Sequence, residues 1–487
     1  MSPEFILIIF LAYTLLLFAI SWFTSRKANN ETFFTGNRVS PWYVVAYGMI
    51  GASLSGVTFI SIPGDVGSTQ FSYMMIVFGY LFGYFIIANV LLPLYYKLQL
   101  TSIYTYLDKR FGFWSYKTGA FYFLLSRIIG ASFRMFLVVN VLQLFVFDKW
   151  GVPFGITVAI FILLIILYTF KGGIKTIVWT DTLQTTFMLL AVVITILLIT
   201  KDLNTNFKDL MATVFDSKFS KMIFYEDWND KRHFLKQFFS GIFITIVMTG
   251  LDQDMMQKNL TCRNLKDAKK NMYWMSASLV PANFLFLILG AILYIYANTK
   301  GIFITSTTDN LFPTIALNHL GPFAGIVFLI GLISAAYSSA DSALTSLTTS
   351  FSVDFLNLPN RKNLTEKQKI RVRYLVHFAI ATVLLLVIVW FRAINDQSVI
   401  QKLFRVAGYT YGPLLGLFAF GLFTKLKLRD KLVPVISIIS PAICYVLNNN
   451  SIEWFNGYEF GFELLIVNGI FTFLGLLLIS RKLLKKN

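Results

Sequence analysis

The sequence predicts an all-α polytopic membrane protein with about thirteen transmembrane helices. Three observations predict it. Of 487 residues, 56% are hydrophobic and only 14% are charged, where a soluble globular chain carries about a quarter charged residues. Apolar runs long enough to cross about 30 Å of hydrocarbon recur along the whole length. Lysine and arginine gather in alternate connecting segments, as the positive-inside bias of membrane proteins requires.

The hydrophobic segments run over roughly 4–23, 41–64, 71–96, 118–146, 152–170, 177–200, 236–257, 272–297, 312–353, 371–391, 397–424, 432–448 and 460–480. The first, in MSPEFILIIF, lacks the basic flank of a cleaved signal and reads as a retained span. The ninth is too long for one span and is expected to begin as a short outer helix. With the N-terminus outside, seven cytoplasmic segments hold 28 of the 42 Lys and Arg residues, among them Arg26, Lys27, Lys171, Lys258, Arg373, Lys482, Lys485 and Lys486. The short outer loops hold only Lys149, Lys300 and Arg392. Segment 201–236 carries seven bases and six acids among Phe219, Ile223, Phe224 and Trp228, and is expected to form amphipathic helices on the outer surface. The chain is therefore read as multi-pass in a plasma membrane, a bacterial inner membrane, with its N-terminus outside and its C-terminus cytoplasmic.

The net charge of +18 lies in short loops, which excludes a nucleic-acid face. No grouping of nucleophile, base and metal ligands suggests an enzyme. Cys262 and Cys444 lie far apart, one in a basic loop and one in a hydrophobic segment, so neither a disulfide nor a metal site is expected. His233, His319 and His377 show no ligand spacing.

Arg127, Arg134, Lys402, Arg405, Asp181, Asp252, Asp254 and Asp341 fall inside spans or near their ends. Ionisable groups there are costly and point to function unless they only pair helices together. Arg127 and Arg134 are seven apart and share a helix face. Lys402 and Arg405 are placed to snorkel. Asp254 is expected to pair with a cytoplasmic lysine. Asp181 is either functional or paired with Lys175.

Two spans carry breaks. GASLSGVTFISIPG, Gly51 to Gly64, mixes glycine, hydroxyls and Pro63 in a hydrophobic context. The seventh span, GIFITIVMTGLDQDMMQ, weakens at Thr249-Gly250. Unwound backbone within a bilayer is tolerated where it lines a cavity or is buried in protein, and transporters use its carbonyls to hold Na+. Spans two and seven are five apart, hence opposite in direction, as a five-plus-five inverted repeat requires. The ninth span adds SAAYSSADSALTS, Ser334 to Ser346. There Ala335, Ser338, Ser339 and Ser342 fall at i, i+3, i+4 and i+7 on one face, either as an ion site or as a small-residue packing face.

Four stretches resemble the sodium:solute symporter family, which includes sodium/glucose, sodium/proline, sodium/sialic acid and sodium/iodide transporters. They are GASLSGVTFISIPG, KGGIKTIVWTDTLQTTFML (Lys171 to Leu189), GLDQDMMQKNL (Gly250 to Leu260) and SAAYSSADSALTSLTTSFSVDF (from Ser334), similar in order to the first, fifth, sixth and eighth core helices. The resemblance implies a leucine-transporter-type fold as one transmembrane domain over 1–487. An extra helix, 4–23, precedes a ten-helix core, 41–424. Two more helices and a short basic tail make up 425–487.

The same resemblance implies one Na+ site from the carbonyls of Gly56, Phe59 and Ala335 and the hydroxyls of Ser338 and Ser339. Neutral oxygens suit a hard cation that must also be released. A second Na+ site, found in some members, would use Asp181, Ser338, Ser342 and position 341. Position 341 is aspartate here where two-sodium members have serine. That leaves a more anionic second sodium site, a proton-coupled acid or a structural hydrogen bond open. Substrate candidates are Thr58, Ser61, Arg134, Asp252, Gln253, Tyr409 and Tyr411; an arginine fork would suit a carboxylate, and amides and hydroxyls a sugar. The expected function is Na+-coupled import of a small organic solute by alternating access, with one or two Na+ as coupling ions. The expected partners are the solute and the bilayer, with no obligate protein partner evident. The alternatives are a channel and a sensory membrane protein of the same fold; the ending RKLLKKN argues against the sensory reading.

Overall fold

The computed structural model describes residues 2–25, 29–170, 173–303, 307–394 and 398–481. Arg26, Lys27, Lys171 and the tail with Lys482, Lys485 and Lys486, used in the charge reading, lie outside those residues.

Fifteen helices build the part of the fold that matters here. They are α1 (Pro3–Thr24), α2 (Trp42–Thr69), α3 (Tyr73–Ile86), α4 (Phe113–Phe145), α5 (Phe154–Thr169), α6 (Ile174–Asp202), α7 (Phe234–Thr245) and α8 (Gln253–Asn259). There follow α9 (Leu265–Lys300), α10 (Gly321–Ser350), α11 (Glu366–Ile394), α12 (Val399–Thr410), α13 (Gly412–Phe423), α14 (Val433–Asn449) and α15 (Leu464–Leu478). Among the described residues eight helical stretches are long and apolar enough to cross a membrane, or ten when two bent pairs are each taken as one span. The pairs are α7 with α8, bent by 69°, and α12 with α13, bent by 45°. α5 and α15 are shorter apolar helices.

Local chemistry explains many of the ends. Ser2 caps α1 by accepting the Phe5 N–H, and a proline opens that helix. Asn264 caps α9, which stops at Gly301 in the left-handed region. The first turn of α4 is capped from a distance: Asp430 accepts the N–H groups of Trp114 and Ser115 at 2.7 and 2.8 Å. As the length of the ninth segment predicts, a short helix (Leu311–Thr314) and a π turn (Ile315–His319) precede α10. In the 201–236 segment one amphipathic helix forms, Phe207–Asp216, burying Leu210 and Val214. Phe219 and Phe224 are buried beyond it, and Ile223 and Trp228 are exposed.

α10 is the centre of the bundle. It packs against α1, α2, α4, α5, α6 and α11, and every residue from 331 to 350 is buried. α2 packs against α6 and α9. α3 and α7 meet backbone to backbone. A Cβ on Gly79 would lie 2.2 Å from the Phe238 carbonyl oxygen, and one on Gly241 would lie 2.1 Å from that of Ile76. No larger residue fits either position without separating the helices.

The bundle has two unlike ends. At one, the 203–233 segment meets the last turn of α2 and the segment after α14: Arg232 bonds the Ser68 carbonyl and Asn229 that of Asn456. At the other, basic loops interlock, with Arg38 on the Gln99 and Leu100 carbonyls, and Arg110 on those of Gly421, Thr424 and Leu426.

Candidate functional site

α2 is helical on both sides of a single break at Ser55, where φ is 51° and ψ is 175°. The sequence makes Pro63 the more obvious place for a break, yet helix continues through it to Thr69. Pro63 acts differently. It has no N–H to give to the carbonyl four residues back, and that carbonyl belongs to Phe59. The break and the proline thus disturb the backbone bonding on either side of residues 56–59. Gly56 follows the break directly and abuts α4 at the Arg134 carbonyl and Val138. The Phe59 ring is fixed in a cluster with Phe286, Phe312 and Phe328.

On α10 the Ser339 hydroxyl donates to the Ala335 carbonyl at 3.3 Å, which brings two of the expected ligand oxygens side by side. The Ser338 hydroxyl donates to Asp181 Oδ1 at 2.9 Å. Asp181 lies where α6 crosses α2, its Cβ 2.9 Å from the point a Cβ on Gly48 would take. Its Oδ2 accepts from Lys258 Nζ at 2.7 Å. Asp341 accepts the Tyr168 hydroxyl at 2.8 Å and the Ser342 N–H at 2.6 Å. The Ser342 hydroxyl goes to Asp254 at 2.6 Å. Of the second-site residues, Asp181 and Ser338 are joined directly, while Asp341 and Ser342 are engaged with Tyr168 and Asp254.

Three expectations about charge are corrected. The partner of Asp181 is Lys258, not Lys175. Lys258 reads in sequence as a loop charge, but it is 1% exposed. Asp254 pairs with Arg127 of α4 rather than with a lysine. α7 ends in a π turn, Ile246–Gly250, at the weak point seen in the sequence. Beyond it α8 is bonded along its length: Asp252 to Tyr411 at 2.6 Å, and Gln257 to the Phe34 carbonyl at 2.7 Å and Thr349 at 3.0 Å.

A central cavity of about 80 Å³ lies beside the α2 break. Thr58 and Arg134 line it with Ser53, Tyr73, Tyr80, Tyr84, Arg127, Thr249 and Asn283. Among the described residues no acidic residue lines it, and Arg134 makes no ion pair there. Tyr411 lines a smaller space next to it. The other substrate candidates lie off the wall. Ser61 is buried toward Asp309. Asp252 caps α8. Gln253 bonds the backbone of Thr101 and Ile103. The Tyr409 ring rests on Tyr445.

The sequence reading did not single out the tyrosine wall. Tyr73, Tyr80 and Tyr84 fall at i, i+7 and i+11, one face of a helix, and that spacing was available. Gln184, one turn past Asp181, was also passed over; it is buried with neither amide atom bonded.

A second cavity of about 360 Å³ at the 203–233 end shares Tyr73 and Ile400 with the first. At its mouth Arg232 bonds Asp230 at 2.7 Å and holds that carboxyl below its usual range. Gln401 donates to Asp65 inside it.

Residues 33–428 match the family model of the sodium:solute symporter family. Over 415 residues the chain is 24% identical to the sodium/sialic acid symporter SiaT of Proteus mirabilis, covering 83% of this chain and 81% of that protein. It is 26% identical over 426 residues to the sodium-coupled monocarboxylate transporter 2 of Danio rerio, covering 82% of this chain and 65% of that protein. A solved structure of a Na+-coupled sialic acid symporter, substrate-bound and outward-open, has a similar fold with a TM-score of 0.82 at 20% identity, over 98% of this chain and 99% of that one. That likeness gives the architecture, the leucine-transporter type.

Proposed function

The chain belongs to the sodium:solute symporter family, a membrane transporter that uses Na+ as its coupling ion, and from that premise we propose that it imports a small carboxylate by alternating access. One observation carries the choice of solute. Arg134 faces the central cavity without an acidic partner among the described residues, whereas the neighbouring Arg127 is paired with Asp254. A guanidinium fork suits a carboxylate in two-pronged contact, and the tyrosine hydroxyls and Asn283 offer bonds to the rest of a polar solute. The relatives named for sialic acid and for monocarboxylates fit the same chemistry.

The coupling ion is assigned first to Gly56, Phe59, Ala335, Ser338 and Ser339. Pro63, which leaves the Phe59 carbonyl without a helical donor, supports that assignment. A second Na+ is assigned to Asp181, Ser338, Asp341 and Ser342. Na+ bound beside the α2 break stabilises the substrate-competent shape, and by linkage the solute tightens Na+ in return.

The basic end is assigned to the cytoplasm, with the N-terminus outside, by the excess of Lys and Arg there. In that orientation the larger cavity lies at the outer end, with the central cavity beside it, and the bonded α8 closes the inner side. Counting α2 and α3 separately and including α5 and α15 gives thirteen spans. They form one domain, with 4–23 before a ten-helix core at 41–424 and 425–487 after it. No enzymatic activity and no obligate protein partner is part of this reading.

The test is a thermal-shift screen of purified protein in Na+ or in N-methylglucamine at equal ionic strength. Pyruvate, lactate, sialic acid and uncharged sugars are the probes. Stabilisation by a carboxylate that needs Na+ and vanishes in Arg134→Gln is expected. Stabilisation by uncharged sugars alone would overturn the proposed solute.

A further inference from the structure

The outward face of α11 carries a groove that lies apart from the central cavity. It has a volume of about 500 Å³ and runs between α11 and the π turn that ends α10, Phe351–Phe355. Six residues of α11 line it, from Val372 to Val383 at i, i+3, i+4, i+7, i+8 and i+11, a single helix stripe. Phe351 and Leu356 make the facing wall, and every lining side chain is apolar. Polar residues of the same stretch turn the other way, toward the bundle. Arg373 bonds Asn30 and the Phe170 carbonyl, and His377 is hydrogen-bonded to Thr169 and Thr348.

The length of the groove matches one leaflet. From Val372 to Val383 the helix rises about 17 Å, and half of the hydrocarbon core is about 15 Å. Leu375, Ala379 and Val383 are exposed, so the groove is open along its side. Any lipid can lay a chain there; the charge at the mouth selects among headgroups. Between Leu356 and Val372 stand five bases, Arg361, Lys362, Lys367, Lys369 and Arg371, and one acid, Glu366. Lys369 takes up Glu366 at 3.0 Å. Arg361 sits at the end of the groove itself, its Nε donating to the Leu356 carbonyl at 2.9 Å. Arg371 is exposed one turn before Leu375 on the same face. Neither arginine makes an ion pair among the described residues. Lys117 adds charge at the far rim, 5.3 Å from the centre of the Phe355 ring, which stacks on Phe351.

We propose that this groove seats one acyl chain of an anionic phospholipid whose phosphate rests on Arg361 and Arg371. Guanidinium forks match phosphate oxygens, and side chains on a helix lean toward its N-terminus, which carries Arg371 from the apolar stripe toward headgroup level. Basic pockets between membrane helices on the cytoplasmic side hold acidic headgroups. In the orientation assigned above this is the inner leaflet, where anionic lipid is concentrated. No residue of the proposed ion or solute sites takes part, so the lipid site stands apart from the transport reading.

Full-length protein purified in dodecyl maltoside is titrated with phosphatidylglycerol, with phosphatidylcholine of the same chains and with glycerol 3-phosphate, and the midpoint of thermal stabilisation is read. The parent should respond to phosphatidylglycerol at about a tenfold lower concentration than to phosphatidylcholine, since each base near an anionic headgroup contributes severalfold. It should not respond to glycerol 3-phosphate. Arg361→Gln with Arg371→Gln should bring the two lipid midpoints together. Ala379→Trp fills the groove from its exposed side and should raise the phosphatidylglycerol midpoint about tenfold with both arginines in place.

Equal midpoints for the two lipids in the parent, or a preference that survives the double arginine variant, overturn the headgroup site. An unchanged phosphatidylglycerol midpoint in Ala379→Trp overturns the groove. A parent stabilised by glycerol 3-phosphate as well as by phosphatidylglycerol binds phosphate without a chain, and that outcome also overturns the proposal. Should Ala379→Trp fail to fold, the glycerol 3-phosphate titration still tests the chain.

Discussion

The two broken helices are built from opposite materials. At the α2 break, Ser53 has a buried hydroxyl with no partner, Arg134 has a free Nε, and Pro63 withholds a donor from Phe59. At the α7–α8 break, Asp252, Gln253, Asp254, Gln257 and Lys258 all have partners, drawn from six other parts of the chain. Both interruptions expose backbone in a region where water is scarce. In α8 each of these side chains has at least one partner, with Gln257 Oε1 alone among their neutral polar atoms left over, and the result is a closed seam. In α2 several are left unmet, and the result is a place for something to bind. An unwound segment is a receptor or a lock according to whether its polar groups are already satisfied.

The comparison is broken most forcefully at Asp254. Asp254→Asn leaves Arg127 buried without its counter-charge, and breaking a buried pair from one side costs about 3–5 kcal/mol. A correspondingly large fall in the melting temperature is expected; a loss below about 1 kcal/mol would mean that the seam is not a lock. Tyr411→Phe removes one hydroxyl bond to the Asp252 carboxylate, for about 1.5–3 kcal/mol, and should increase cytoplasmic-side labelling of single cysteines placed on α8. Unaltered labelling would put the barrier elsewhere.

On the receptor side the effects on stability are small and those on ion dependence are large. Ser339→Ala loses only a bond back onto its own helix, so insertion and Na+-free stability should stay within about 1 kcal/mol of the parent. Na+-dependent uptake should fall; normal Na+ dependence would remove Ser339 from the ion site. The smallest effect is expected at Ser55, whose backbone sits close to a region favoured only by glycine. Ser55→Gly should stabilise by no more than about 1 kcal/mol, visible by calorimetry. Destabilisation would show that the serine side chain holds the break.

The sequence was most informative where local composition decides structure. Apolar runs gave the spans, Thr249-Gly250 gave the bend before α8, and the length of the ninth segment gave the short helix before α10. It was least informative where a partner lies far along the chain. Lys258 stands in a run of basic residues and reads as solvated; only Asp181, 77 positions away, explains its burial. Asp254 misled for the same reason, since Arg127 sits in a helix that nothing local connects to it. The break in α2 was expected, but at no particular residue. Composition singles out Pro63, whereas the positive φ is at Ser55, because a proline can stay within a helix when the carbonyl it deprives is accommodated.

The glycine contact between α3 and α7 has a mechanical meaning. Where Gly79 touches the Phe238 carbonyl and Gly241 that of Ile76, no layer of side chains is left to slide or change rotamer. Two helices joined in that way form a single stiff lever. Any rearrangement that moves α7 must carry α3 and its row of tyrosines with it, so a swing that unlatches α8 also redraws the wall of the central cavity. A probe pair spanning α3 and α7 would serve as a fixed ruler through the transport cycle, against which displacement of every other helix could be measured.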